Sequence, residues 1–223
     1  MHGRLLESAM NIYRATLLAV LVGLAAGCAN EPRSRDTANP NVSGETLAQQ
    51  VCSNCHGVSG NSTSPMFPNL AAQQEAYIVA QLGGFKAHSR QDPAGFEYMW
   101  GLSHNLSDKH IKELAAYFSA QKLQREPVEG TAERIAAGKA IFTGGIADKS
   151  VPPCASCHGA EGQGQATFPR IAGQHVDYLI KQLKGFQRTN DRPAGAVMKT
   201  VAHNLTRENM VNVANYLQAM PNQ

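Results

Sequence analysis

One unit written twice governs what this chain can fold into. "FPNLAAQQEAYIVAQLGGF" (67–85) matches "FPRIAGQHVDYLIKQLKGF" (168–186) at a constant offset of 101 residues. "DPAG" (92–95) matches "RPAG" (192–195), and "MWGLSHNLS" (99–107) matches "MKTVAHNLT" (198–206) at an offset of 99. An offset that drifts by so little means short loop insertions between elements that are kept. "QKLQREPVEGT" (121–131), polar and carrying Pro127 and Gly130, reads as a linker between the copies. The expected organisation is a first domain over 44–120, the linker, and a second domain over 132–223. Each copy reads as helical. Ser43 caps a first helix through Val51, and Thr131 caps its counterpart through Phe142. A middle helix carries Tyr77, Ile78, Leu82 and Phe85, echoed by Tyr178, Leu179, Leu183 and Phe186. A last helix opens at Ser107 with Ile111, Leu114, Ala115 and Phe118 on one stripe, and its twin opens at Thr206 with Met210, Val213, Ala214 and Leu217. No segment alternates as a strand would. Three short helices make a thin core, so something else must fill the middle of each copy.

The cysteines supply it. Cys52-Ser-Asn-Cys55-His56 recurs as Cys154-Ala-Ser-Cys157-His158. A disulfide between cysteines three apart suits redox catalysts, but those sit in βαβ contexts that this chain lacks. A four-thiolate zinc site would have to bring together pairs separated by 98 residues, each leaving its own repeat. Neither reading explains a histidine after the second cysteine both times. Covalent haem attachment does: two thiols add across the two vinyl groups of one porphyrin, and the adjacent histidine is held under the iron. Two covalently bound haem c groups are therefore expected, on Cys52 and Cys55 and on Cys154 and Cys157, with His56 and His158 as proximal ligands. A buried porphyrin also completes the core.

The repeat narrows the ligand on the other face of each iron. Soft donors at equivalent places in both copies are Met99 with Met198 and His104 with His203. Met66 faces Thr167, His88 faces no histidine, His175 faces Gln74, and Met210 lies on the apolar stripe opposite Ile111. Met99 and Met198 are the expected distal ligands, each on a loop after "PAG" that folds over a haem edge. His104 and His203, in the turn entering the last helix, are the alternative, and an open iron is the third. A proximal histidine donates its other ring N–H to an acceptor. The carbonyls of Pro68 and Pro169 are the candidates, as against ordinary surface prolines in turns.

"ATLLAVLVGLAAG" (15–27) is uncharged, apolar and too short to span a bilayer comfortably, and Arg14 precedes it. It reads as an export signal over 1–27, with Met10 a plausible true start. Cys28 follows at once, as in the bacterial lipoprotein signal, although Ala25 stands where leucine is usual. Lipidation of Cys28 would anchor the chain to a membrane through a flexible tether over 28–43. Simple cleavage near Ala25-Ala26-Gly27 would leave Cys28 an incidental thiol. The net charge of +3, with 17% charged residues, falls further once Arg4, Arg14 and Glu7 are set aside. With no long Lys/Arg cluster, nucleic acid is excluded as a partner.

With both CxxCH motifs, "FPNLAAQ" and "FPRIAGQ", the "QL-x-x-F" endings, Met99 and Met198, and "LSDKHIKELAAYF" (106–118), the chain resembles the diheme class I cytochromes c of the cytochrome c4 type. The resemblance covers residues 44–220. "FTGGIADKSVPPCASCHG", the longer first loop of the second unit, fits it, whereas "RQDPAGFEYM" has one residue more than its counterpart. The resemblance implies an all-α fold of two tandem class I cytochrome c domains, each a few short helices wrapped around one haem. It implies a pseudo-twofold with haem propionates towards the interface. It further implies a periplasmic electron carrier, fed by a quinol-oxidising complex and delivering to a haem–copper oxidase. No acid–base constellation suggests bond chemistry. The competing readings are the electron-accepting haem subunit of a membrane-associated dehydrogenase, which would suit an anchor at Cys28, and a diheme peroxidase, which would need one open iron.

Overall fold

The computed structural model describes residues 34–220, apart from 94, 125, 126, 129 and 189. The expected export signal (1–27), Cys28 and the start of the expected tether lie outside the described residues. The rest of that tether is folded: Asp36 and Asn39 close turns onto the N–H groups of Ala38 and Asn41, and Val42 is buried.

Ser43 accepts the Thr46 N–H at 3.1 Å and starts α1 (Gly44–Leu47). The helix runs through a wide π turn, Ala48–Cys52, into α2 (Ser53–His56). It therefore passes the expected end at Val51 and delivers the CxxCH motif without a loop. Gly57 stops it at φ 74°, a conformation open to glycine. α3 (Glu75–Lys86), a second π turn (Gly95–Met99), α4 (Trp100–Ser103) and α5 (Asp108–Ser119) complete the first half. In the second half α6 (Ala132–Gly144) is followed by a loop containing a 3₁₀ turn at Ala147–Lys149, then α7 (Ala155–His158) and α8 (Val176–Arg188). A 3₁₀ turn at Pro193–Gly195, α9 (Ala196–Ala202) and α10 (Arg207–Ala219) end the chain. Among the described residues only isolated bridges, Ile146 with Val151 and Gln165 with Phe168, resemble sheet pairing.

Both last helices open with reciprocal caps. Ser107 accepts the His110 N–H at 3.1 Å while its own N–H reaches His110 Nδ1. Thr206 and Asn209 repeat the exchange at 3.1 and 3.0 Å. The expected stripes are the core. Leu47, Ile78, Leu106, Ile111, Leu114 and Phe118 pack in the first half. Ile141, Phe142, Leu179, Val213 and Leu217 pack in the second, beside Val151, Leu205 and Met210. Each such side chain contributes about 1.5–3 kcal/mol on burial.

The halves meet through polar contacts that occur in mirrored pairs. His175 Nε2–H donates to the Ser62 carbonyl at 3.1 Å, and Gln74 Nε2 donates to the Gln163 carbonyl at 2.8 Å. Asn69 Nδ2 donates to the Gly173 carbonyl at 3.1 Å, and Arg170 Nε donates to the Ala72 carbonyl at 3.2 Å. Each pair joins repeat-equivalent positions with the halves exchanged, which is what a pseudo-twofold requires.

Candidate haem sites

Each CxxCH motif occupies one helical turn, which sets its two cysteines on one face. None of the four cysteines is in a disulfide, and each pair stays in its own half. Burial pushes the Cys52 thiol up to about 12 and the Cys154 thiol up to about 11. Both are therefore neutral thiols at neutral pH, the form that adds across a vinyl group. Among the described residues no three His, Cys, Asp or Glu side chains converge as metal ligands.

The histidine that follows is buried in both halves, His56 at 8% and His158 at 7% exposure. His56 Nδ1 lies 2.9 Å from the Pro68 carbonyl and His158 Nδ1 lies 2.9 Å from the Pro169 carbonyl. A carbonyl can only accept, so the proton is on Nδ1 and the lone pair is on Nε2. Burial holds both imidazoles below their usual range, against the opposing pull of the proline carbonyl. Phe67 and Phe168 meet the two rings edge-on at 6.2 and 6.4 Å. These carbonyls are the acceptors expected from the sequence.

Met99 and Met198 are both half-buried, but neither lies on a loop. Met99 closes the π turn Gly95–Met99, and Met198 is the third residue of α9. The reason is visible in the spacing. Six positions lead from Pro93 to Met99 and five from Pro193 to Met198. A helix absorbs one extra residue as a π turn and keeps the following residues on the same face. His104 and His203 fall in the turns after α4 and α9, as expected, and both are exposed. His104 Nδ1 donates to the Gly101 carbonyl at 3.0 Å and its ring stacks on Trp100 at 5.1 Å. What sets His104 apart from His56 is exposure, since both spend Nδ1 on a carbonyl. In the second half an open cleft of about 580 Å³ separates Val151, Pro152 and Pro153, just ahead of Cys154, from Val197 and Val201 on the helix that carries Met198.

Whether haem fits can be asked of the groups buried between the halves. Arg90 lies over the Phe85 ring at 4.4 Å, and Arg192 over the Phe186 ring at 4.5 Å. Burial works against the Arg90 cation, yet Tyr178 and the Asp92 carboxylate, 2.7 Å away, hold it charged. Arg192 instead bonds to the neutral Gln182, Tyr77 and Gln81. Its buried Nε has no hydrogen-bond partner. A half-buried guanidinium whose one buried N–H is orphaned calls for an anion, and a porphyrin brings two carboxylates. The residues fit the group. Sequence reasoning passed over both arginines, because the first stands two residues before Asp92 and the second stands at the position of Asp92 itself.

Comparison with known proteins agrees with this geometry. A family model described as cytochrome c matches residues 42–122 and again 135–221, each match spanning one CxxCH motif. Cytochrome c-552 of Acidithiobacillus ferridurans is 40% identical over 173 residues, covering 76% of this chain and 73% of that protein. The solved structure of cytochrome c4 from Acidithiobacillus ferrooxidans superposes with a TM-score of 0.70 at 39% identity, over 76% of this chain and 98% of that one. A protein of Thiomonas intermedia named thiosulfate dehydrogenase electron acceptor is 33% identical, over 76% of this chain and 78% of its own.

Proposed function

The chain belongs to the cytochrome c family, and from that premise we propose that His56 and His158 are proximal iron ligands and Met99 and Met198 distal ones. It is an electron-transfer protein of the diheme cytochrome c4 type with two covalently bound haem c groups and redox proteins as partners. Bound haem supplies the one-electron couple between Fe(III) and Fe(II). The cysteines fix each porphyrin, and the bond from each histidine to its proline carbonyl orients the ring and makes Nε2 a better donor. The Met99 and Met198 thioethers would be soft donors to the iron, favouring Fe(II) and raising the reduction potential. A histidine and a methionine held by the protein at each iron would keep water and peroxide off it. The observation that carries this reading is the same histidine–carbonyl distance, 2.9 Å, in both halves.

The proposed setting is the periplasm, with a quinol-oxidising complex as donor and a haem–copper oxidase as acceptor. Export by residues 1–27 and lipidation of Cys28 belong to this proposal. Among the described residues no helix is long and apolar enough to cross a membrane. The likeness to the Thiomonas protein favours a second reading, in which the donor is a membrane-associated dehydrogenase. Co-purification from detergent-solubilised membranes separates the two.

The ligand set has a direct test. Both oxidised haems of the parent should be low-spin and show the near-infrared sulfur–iron band. Met99→Ala and Met198→Ala should each remove one haem's band and lower its potential by on the order of 0.1 V, well inside the ~0.8 V that axial ligands command. The opened haem should bind cyanide and gain peroxidase activity. A high-spin haem in the parent that reacts with peroxide would move the case to the peroxidase reading. Loss of the band in His104→Ala but not in Met99→Ala would mean that the π turn places another residue at the iron.

A further inference from the structure

Two peptide units carry more than the proximal histidines. The carbonyl of the Pro68–Asn69 peptide accepts from His56, and its N–H, on Asn69, donates to Gln174 Oε1 at 2.8 Å. The carbonyl of the Pro169–Arg170 peptide accepts from His158, and its N–H, on Arg170, donates to Gln73 Oε1 at 2.7 Å. Gln73 belongs to the first half and Gln174 to the second. Each glutamine therefore grips the peptide that holds the other half's histidine.

The grip has a fixed sense. Gln73 Nε2 donates to the Arg170 carbonyl at 3.0 Å, and its Oε1 also accepts the Gln74 N–H at 2.9 Å. Gln174 does the same, to the Asn69 carbonyl at 3.0 Å and from the His175 N–H at 3.1 Å. Turning either amide over would set NH₂ against two N–H groups. Gln73, Gln174 and Asn69 are 6%, 5% and 3% exposed, so water does not compete and each bond polarises the next. An acceptor on a peptide N–H pushes electron density onto the carbonyl of the same peptide, through its partial double bond. That carbonyl then pulls harder on the histidine Nδ1 proton. The ring gains imidazolate character, binds Fe(III) more strongly and lowers the potential.

We infer that Gln73 and Gln174 are positioning residues that act across the halves, Gln73 on the haem held by His158 and Gln174 on the haem held by His56. This rests on the proximal-ligand assignment proposed above. It makes each potential depend on the other half being docked.

The test uses the full-length holoprotein, with haem methyl resonances assigned to each half through its own thioether bridges and followed through a redox titration. Gln73→Leu should raise the Fe(II)/Fe(III) ratio at fixed poise by about two- to tenfold at the haem on Cys154 and Cys157, an upper bound of 59 mV. The haem on Cys52 and Cys55 should move by less than half as much. The Nδ1 proton signal of His158 should shift while that of His56 stays. Gln174→Leu should do the reverse. Gln73→Glu gives up the donor to the Arg170 carbonyl but keeps an oxygen, now charged, facing the Arg170 N–H, and should move the same haem in the opposite sense. Equal shifts at both haems, or a larger shift in the variant's own half, would overturn the proposal. If neither leucine variant accumulates, Gln73→Glu decides alone, because an equal fall at both haems is a plain charge effect. A His158 ring proton without hyperfine shift in the oxidised parent takes the ligand assignment down as well. With that shift present and no crossing in the variants, only the coupling fails.

Discussion

The two methionine-bearing segments descend from one repeat and are held by different physics. In the first half the segment is a π turn running into α4, framed by aromatic rings. His88 lies 5.7 Å from Phe96 and 5.2 Å from Trp100, and Trp100 lies 5.1 Å from His104. In the second half α9 carries no aromatic residue. There Gln187 donates to the carbonyls of Ala202, His203 and Leu205 at 2.7, 3.2 and 2.8 Å. Lys86 stands at the position of Gln187 and instead reaches Asp108 across the surface at 3.2 Å. The two arginines, Arg90 buried and Arg192 half-buried, differ in the same way. Arg90 has its own carboxylate in Asp92, while Arg192 occupies the place of that aspartate in the repeat. A duplicated element thus keeps its position while the interactions that fix it diverge.

The largest expected effect comes from making the first half resemble the second at this point. Arg90 and Asp92 side chains are each 9% exposed. Asp92→Ala leaves a desolvated guanidinium short of its carboxylate, which costs about 3 kcal/mol. Denaturant unfolding followed at the first haem should show an earlier transition, with the second haem shifted less. Equal loss at both would mean that the arginines form a single shared cluster.

A smaller effect separates Gln187 from Lys86. Gln187→Ala frees three carbonyls, one of them on the buried Ala202, and should cost about 1–2 kcal/mol. Lys86→Ala breaks a pair whose side chains are 35% and 90% exposed. That change should cost at most about 0.5 kcal/mol and vanish in high salt. Thermal unfolding of the two variants at low and high salt measures both. If Lys86→Ala costs as much as Gln187→Ala, the lysine stem rather than its charge is packing the segment.

Much of this was legible in the sequence. The repeat, the capping residues Ser43, Thr131, Ser107 and Thr206, and the core stripes follow from local chemistry that each copy states independently. The proline carbonyls were legible too, because a buried histidine must spend its second nitrogen on something nearby in the chain. The π turn was not, although its cause, the extra residue before Met99, was in plain view. An insertion reads equally well as a longer loop or a wider turn until the flanking helices are known to be continuous. Gln73 and Gln174 were repeated at the offset of 101 and still passed over. Their partners lie in the other half, about a hundred residues away, and periodicity within one copy cannot point there.

The smallest effect concerns the closest approach of first and last helices. In the second half Gly138 meets α10 where an added Cβ would lie 2.0 Å from the Asn212 carbonyl, a neutral contact. Glu113 stands at the position of Asn212 in the repeat. Its carboxylate accepts the free N–H of Gly44 at 2.7 Å and lies 3.3 Å from Lys109. The Gly44 bond, more than Lys109, holds the Glu113 carboxyl below the usual carboxylate range. A carboxyl lowered in the folded state stabilises it above the free value of 4.5 and loses that stabilisation as pH falls through the lower folded value. The side chain is 36% exposed, so screening keeps the contribution below about 0.5 kcal/mol. Glu113→Gln keeps an oxygen for Gly44 and removes the titration. Between pH 5 and 3, roughly the window around the free value, the parent's first half should lose stability slightly faster than the variant's, with no difference in the second half. If the two acid limbs coincide, the Gly44 contact is held by packing, as in the second half, and here the two copies have not diverged.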